Sequence, residues 1–500
     1  MVNINKRIDD FTVVVNAGTS LSDNSSDLLG YGGPIRDTGV PNVFNVFDLD
    51  NAKKRATQEG WEEMTQSIFA SAEIGWKSML YLTLTGRNDW ASQLKGSNPT
   101  SFFYPSVGLS AVISEMVTLP KAIDYLKVRG SFSSVGTPYP RFLVQPTYSY
   151  DPTKQDWNAK THYPIGKLKP ERTDSWEIGV DGTFFKDFKV SGSFYYANTY
   201  NQTFDPKITV SSGYSTLYVQ TGYVRNLGVE GLLSYGHTWR DFGWNSNFTF
   251  SWNKNKIVEL VKDYVHPETG EIVNKDRLEL KGLGYTKFIL KEGGTLGDLY
   301  TNADFIRDDK GYIQIDKNGD VAKTDNLPDI KLGSVFPKAN LAWNNSFSYK
   351  GIYAGFQLSA RLGGIVYSAT QAALDQYGVS EASAAARDRG GVLVNGRSWV
   401  NAQQYYEIVA TSSGLPQYYT YSATNLRLQE AHIGYTIPRK WLGNICDINV
   451  SVVGRNLWMI YCKAPFDPES VATTGNYYQG IDYFMMPSLR SVGFNLKLKF

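Results

Sequence analysis

The 500-residue chain is 42% hydrophobic, 14% aromatic and 20% charged, and its 50 basic and 48 acidic residues leave a net charge of +2. Its 33 Tyr, 25 Phe and 12 Trp exclude a disordered chain, and the near-neutral balance leaves no electrostatic footprint for nucleic acid. Two cysteines, Cys446 and Cys462, exclude a disulfide-dense fold. A mean hydropathy of −0.32, with no apolar run of about 18 residues, excludes helical membrane spans.

The first residues, Met1 to Phe11, have no apolar core and no small-residue cleavage site, so they do not read as a signal peptide. From there period-2 alternation recurs to the C-terminus. It predicts about fourteen strands, near 10–20, 64–75, 77–86, 102–116, 123–135, 172–184, 186–199, 226–239, 243–256, 338–349, 351–364, 424–437, 446–457 and 488–500. Between Trp244 and Trp252, for example, Trp244, Ser246, Phe248, Phe250 and Trp252 alternate with Asn245, Asn247, Thr249 and Ser251. Such strands are apolar on one face and wet on the other.

Short turns at Trp76, Lys186-Asp187, Arg240-Asp241-Phe242 and Lys350-Gly351 alternate with long polar loops around 21–63, 136–171, 200–225, 257–337, 365–423 and 458–487. A soluble sandwich or propeller has no reason to gather its long loops on one edge. An outer-membrane barrel does, with short turns on the periplasmic side and long loops outside. The predicted fold class is therefore all-β, a transmembrane antiparallel β-barrel, with 1–500 as one barrel domain and the outer membrane of a Gram-negative cell as its place. Aromatics near strand ends, such as Trp61, Trp76, Trp176, Trp239, Trp343 and Trp441, suit interfacial girdles.

Several stretches then resemble the C-terminal part of the SusC/RagA family of TonB-linked outer-membrane proteins. They include the run Ser71 to Trp90, Ser101-Phe-Phe-Tyr-Pro-Ser-Val-Gly-Leu-Ser110, Leu126-Lys-Val-Arg-Gly-Ser-Phe132 and Leu168 to Val180. Others are Asn226-Leu-Gly-Val-Glu-Gly231, Leu426-Arg-Leu, Gly434-Tyr-Thr-Ile-Pro438 and Gly454-Arg-Asn-Leu-Trp458. The terminal Phe500 is similar to the signal read by the outer-membrane assembly machinery. The resemblance implies a 22-stranded barrel, an internal plug, a TonB box coupling import to inner-membrane energy, and a SusD-like surface lipoprotein that helps capture glycans or peptides. Neither plug nor TonB box is recognisable in the 500 residues, so the fourteen strands are expected to be the last of the 22. The implied function is TonB-dependent import of glycans, oligosaccharides or peptides. A passive porin-like channel without energy coupling is the alternative, and a soluble β-rich binding protein or enzyme barrel is a third reading.

Catalysis finds no support, since His162, His237, His266 and His432 lie far apart and no nucleophile elbow, P-loop or zinc motif occurs. Asp316, Asn318 and Asp320 have the 1, 3, 5 spacing of a calcium loop, but Val321 stands where that loop uses Gly, and a solvated turn is the competing reading. No other cofactor is expected. Sugars stack on aromatic faces, which makes the loop residues Trp157, Tyr163, Trp399, Tyr405, Tyr406, Tyr418, Tyr419 and Tyr421 candidates for substrate contact. The same residues are equally suited to packing the loops together.

Overall fold

Short turns and longer loops alternate along most of this chain, with the connections 92–101 and 113–122 alike in length, and they fix its architecture. The computed structural model describes all residues except 38–42, 44, 98, 144–148, 152–155, 159–161, 164–168, 205–215, 218, 266–269, 271, 444, 474–478 and 500. Fifteen strands form one sheet: β1 (Val2–Ile8), β2 (Phe11–Gly32), β3 (Arg55–Trp76), β4 (Leu80–Ala91), β5 (Phe102–Val112), β6 (Ile123–Thr137), β7 (Glu171–Phe184), β8 (Phe188–Phe204), β9 (Val219–Trp239), β10 (Phe242–Glu259), β11 (Ala339–Tyr349), β12 (Ile352–Leu362), β13 (Asn425–Ile437), β14 (Asp447–Cys462) and β15 (Ser491–Lys499). Each pairs antiparallel with its sequence neighbours.

All fourteen expected strands are present, and β1 is added. There Val2, Ile4 and Ile8 alternate with Asn3, Asn5 and Arg7, but Lys6 breaks the apolar row and the strand is only seven residues long. The expected loop at 21–63 needs correction, because β2 and β3 run on as a paired ribbon from Leu21↔Gln66 to Gly32↔Arg55. Twenty-two residues reach about 70 Å, well beyond the thickness of a bilayer. Out there both faces meet water, so the apolar alternation vanishes while the ladder continues. Trp61 stands on this ribbon under the guanidinium of Arg141, 3.6 Å from its ring, rather than in a girdle.

The turns at Lys77-Ser78, Phe185-Lys186 and Lys350-Gly351 each hold two successive residues at positive φ. That geometry matches the right-handed twist of the strands they join. Across the sheet, direct cross-strand partners form unbroken rows. One face carries Val15–Ala72–Leu84–Val107–Phe132–Trp176–Tyr196–Leu227. It also carries Leu233–Phe248–Trp343–Leu358–Leu428–Trp458. The other face carries Ser110–Arg129–Gly179–Ser193–Glu230–Ser251–Asn340–Arg361. Most large residues of the first face stand exposed, Trp176, Ile178, Trp343 and Ile433 among them. An apolar band this continuous is what a bilayer covers in a membrane barrel.

The packed core lies in the long loops and at the strand ends they cover, where Ala91, Phe102, Val224 and Ile257 of the sheet pack with Leu94, Leu260 and Leu290. Segments 260–338, 363–424 and 463–490 share one cluster containing Phe288, Leu299, Val335, Tyr367, Leu415 and Ile481. Arg277–Lys281, Lys287–Lys291, Asp298–Thr301 and Ile330–Ser334 form a four-stranded sheet there. Ile365–Ser368 is flanked by Thr420–Ser422 and, in parallel, by Ile481–Asp482. Helices Ala369–Gln376, Glu381–Asp388 and Ala402–Val409 are capped by Ser368, Ser380 and Asn401. The Ser380 cap is a capping box with Ser383, which starts the Ala/Ser-rich helix Glu381–Asp388.

Candidate functional site

Two surfaces hold the groups that can meet a solute: the polar face of the sheet and the loop body at its end. On the polar face, Arg129 of β6 sits between two carboxylates of β7, with Nη1 2.7 Å from Asp181 Oδ2 and Nη2 3.2 Å from Glu177 Oε1. Ser191 of β8 donates to Asp181 at 2.6 Å. Diagonal placement on adjacent strands brings these side chains together. Beside them opens a cavity of ≈ 400 Å³ whose lining includes Ser193, Glu230, Ser251 and Asn340. A larger depression of ≈ 640 Å³ lies over β3 to β6, lined by Ser71, Thr85, Ser106 and Tyr104 and by the ion pair Arg87–Asp89. Such a wall offers hydroxyls and internally neutralised charges, suited to a hydrated polar solute.

The loop body is tied to the sheet by Arg427, which donates to Asp467 from Nη2 at 2.7 Å and from Nη1 at 3.1 Å and reaches Glu469 at 3.2 Å. Asp467 pays for burial, but the hydrogen bonds from Arg427 and its neighbours outweigh that cost and hold its carboxyl below the usual carboxylate range. Within the loop body, Asp482, nearly enclosed, joins two loops by accepting from Ser368 at 2.5 Å and from Thr370 at 3.0 Å.

The loop aromatics divide by environment. Trp399 is largely exposed on the hairpin Val392–Val394/Ser398–Val400. Tyr418 is partly exposed, edge-on to Phe305 at 5.3 Å, with Arg307 donating to its hydroxyl at 3.4 Å. Tyr419 is buried and donates to Asp375 Oδ2 at 3.0 Å; burial and that charge push its hydroxyl far above the ordinary range. Tyr421 packs edge-on to Phe466 at 5.6 Å and is pushed up to about 12, chiefly by burial. Tyr405 meets Tyr406 edge-on at 5.4 Å. The side chains of Trp157 and Tyr163 lie outside the described residues, as do His266 and Phe500.

Asp316, Asn318 and Asp320 do share one turn. Asp316 Oδ1 accepts from the backbone N–H of Asn318 at 2.8 Å and of Asp320 at 3.0 Å, and Asp308 caps an identical turn through Lys310 and Tyr312. Among the described residues, no three His, Cys, Asp or Glu side chains are grouped to hold a metal ion. Cys446 and Cys462 are free thiols at opposite ends of β14, as their spacing implies. The Arg129 and Arg427 clusters were marked in the sequence only as the family-like runs 126–132 and 426–428; the carboxylates that define them lie 40 or more residues away.

Residues 5–457 match the family described as TonB dependent receptor-like, beta-barrel. The chain belongs to that family. Among its relatives, TonB-dependent receptor P3 of Formosa agariphila is 24% identical over 464 residues, covering 87% of this chain and 45% of that protein. TonB-dependent receptor SusC of Bacteroides thetaiotaomicron is 24% identical over 246 residues, covering 44% of this chain and 24% of that protein. Among solved structures, the RagAB peptide importer in its closed-closed state superposes with a TM-score of 0.76 at 17% identity, over all of this chain and 55% of that one. The chain thus spans about half the length of the curated relatives it matches. Within a TonB-dependent receptor barrel the polar rows face the lumen and the apolar rows the lipid.

Proposed function

We propose that residues 1–500 are one barrel domain forming part of an outer-membrane importer, which takes up oligosaccharides or peptides by TonB-dependent transport together with a SusD-like surface lipoprotein. The observation that carries this reading is the two-faced sheet with three long loops, after β10, β12 and β14, folded into one body at one end. The exposed rings of Trp399 and Tyr418 supply flat faces for a sugar or peptide at the outward side. The hydroxyl- and charge-lined depressions then supply stations along the wall. Coupling to TonB, and the plug it acts on, are assigned to protein outside these 500 residues.

Parity supports the wider assembly. Fifteen antiparallel strands leave β1 and β15 running in the same direction, and among the described residues no ladder joins them. Closure that keeps every pair antiparallel requires an odd number of further strands. Open edges in lipid would leave backbone groups unsatisfied.

Deleting the gene and measuring growth on oligosaccharides and on peptides, with and without a functional TonB, tests the proposal. Loss of growth on one class that TonB deletion reproduces is the expected result. Uptake that persists without TonB would replace it with passive conduction.

A further inference from the structure

We infer that the cleft between the three loop helices binds one cationic side chain, a lysine or arginine of a peptide ligand, with Asp375 as its counter-charge. This rests on the proposal that the loop body is the outward capture face. Asp375, at the end of helix Ala369–Gln376, is only 7% exposed. Both carboxylate oxygens are met by neutral donors, Tyr419 OH at 3.0 Å and Gln371 Nε2 at 3.2 Å. Among the described residues, no Lys, Arg or His nitrogen lies within the 4.0 Å of an ion pair. A carboxylate buried with neutral donors alone is poorly compensated, because buried charges are ordinarily paired.

The carboxylate lines a cleft of ≈ 360 Å³ whose walls include Gly378, Arg387, Tyr406 and Glu407. Glu407, exposed at its edge and held by Gln403 at 2.8 Å, adds a second negative charge. Tyr406 adds an aromatic ring beside which a cation is stabilised. Against them stands Arg387, exposed, its Nη1 donating to the Gly378 carbonyl at 2.5 Å. Two carboxylates and one guanidinium leave the cleft net negative, with room for one cation. The hydroxyls of Tyr419 and Tyr421 are raised chiefly by burial, with the Asp375 charge adding to it.

The test uses the complete protein in detergent and two probes, the blocked peptide N-acetyl-Gly-Lys-Gly-amide and its Nε-acetyllysine counterpart, titrated by calorimetry. The lysine peptide is expected to bind roughly tenfold or more tightly than the acetylated one, a difference of about 1.4 kcal/mol. Asp375→Asn should abolish that preference, and Arg387→Gln, which leaves the buried group untouched, should strengthen it. Equal binding of the two peptides, no binding at millimolar concentration, or a preference that survives Asp375→Asn would overturn the inference. Displacement of the lysine peptide by the lipoprotein alone would reassign the cation to a docking side chain. Because binding needs no TonB, a protein that prefers lysine but imports nothing would refute the transport reading and not this one.

Discussion

Arg427 on β13 and Asp467 in the last long loop form a two-pronged pair with only 6% and 9% of their side chains exposed. The pair pins segment 463–490 to the mouth of the barrel, and through Ile481 and Asp482 that segment completes the loop body's small sheet. Removing one member strands the other charge in a dry place.

Arg427→Met is therefore expected to destabilise the docked loop by about 3–5 kcal/mol, whereas the double change with Asp467→Leu should recover much of the loss. Limited proteolysis within 463–490 reads the docking directly. Equal cleavage of the single and double variants would show that the pair contributes no coupling.

The same pair carries a pH dependence. Asp467 is depressed in the folded state, so its contribution is fully present above the unfolded carboxylate range and is lost as pH falls through the folded value. Proteolytic protection of the loop should hold at neutral pH and fade only in acid below the ordinary carboxylate range. An Asp467→Asn protein should show weaker protection and no such fade.

On the lipid-facing side, two polar residues serve two indoles. Trp244 Nε1 donates to Asn345 Oδ1 at 3.1 Å, and Trp343 Nε1 donates to Ser246 at 2.9 Å. Asn345 is only 2% exposed, enclosed by rings that include Trp244, Phe347 and Phe356. An indole N–H without a partner in hydrocarbon is costly, so Asn345→Leu should destabilise the barrel by about 1–3 kcal/mol. Adding Trp244→Phe should restore part of it. Urea unfolding of protein refolded in detergent measures both.

Tyr195 lies across Gly228, its direct partner on β9, so closely that a Cβ there would come within 2.2 Å of the ring. Gly228→Val should push the ring off the strand and cost about 1–3 kcal/mol in the same assay. A neutral outcome would mean that the ring has another resting place.

What was legible in the sequence follows the solvent. Between Trp244 and Trp252 lipid on one side and a wet lumen on the other write themselves into alternate residues, and fourteen strands could be read from that alone. Where both faces meet water, as from Ser22 to Gly32, the pattern disappears although the strand continues. The loop body was illegible for another reason. Its core joins Phe288, Tyr367 and Ile481 from three separate loops, and Asp375 finds Tyr419 44 residues away. Leu426-Arg-Leu was visible as a family-like run, but Arg427 acquires its role only from Asp467.

The central claim is that the loop body and the tight turns stand on opposite sides of the outer membrane. Single cysteines at Trp399 and at Lys350, placed in the complete protein with Cys446 and Cys462 changed to serine, test it in intact cells with a membrane-impermeant maleimide. Labelling at position 399 and protection at 350 until the membrane is breached is the predicted result. Labelling at 350 with protection at 399, or equal labelling of both, would contradict the account.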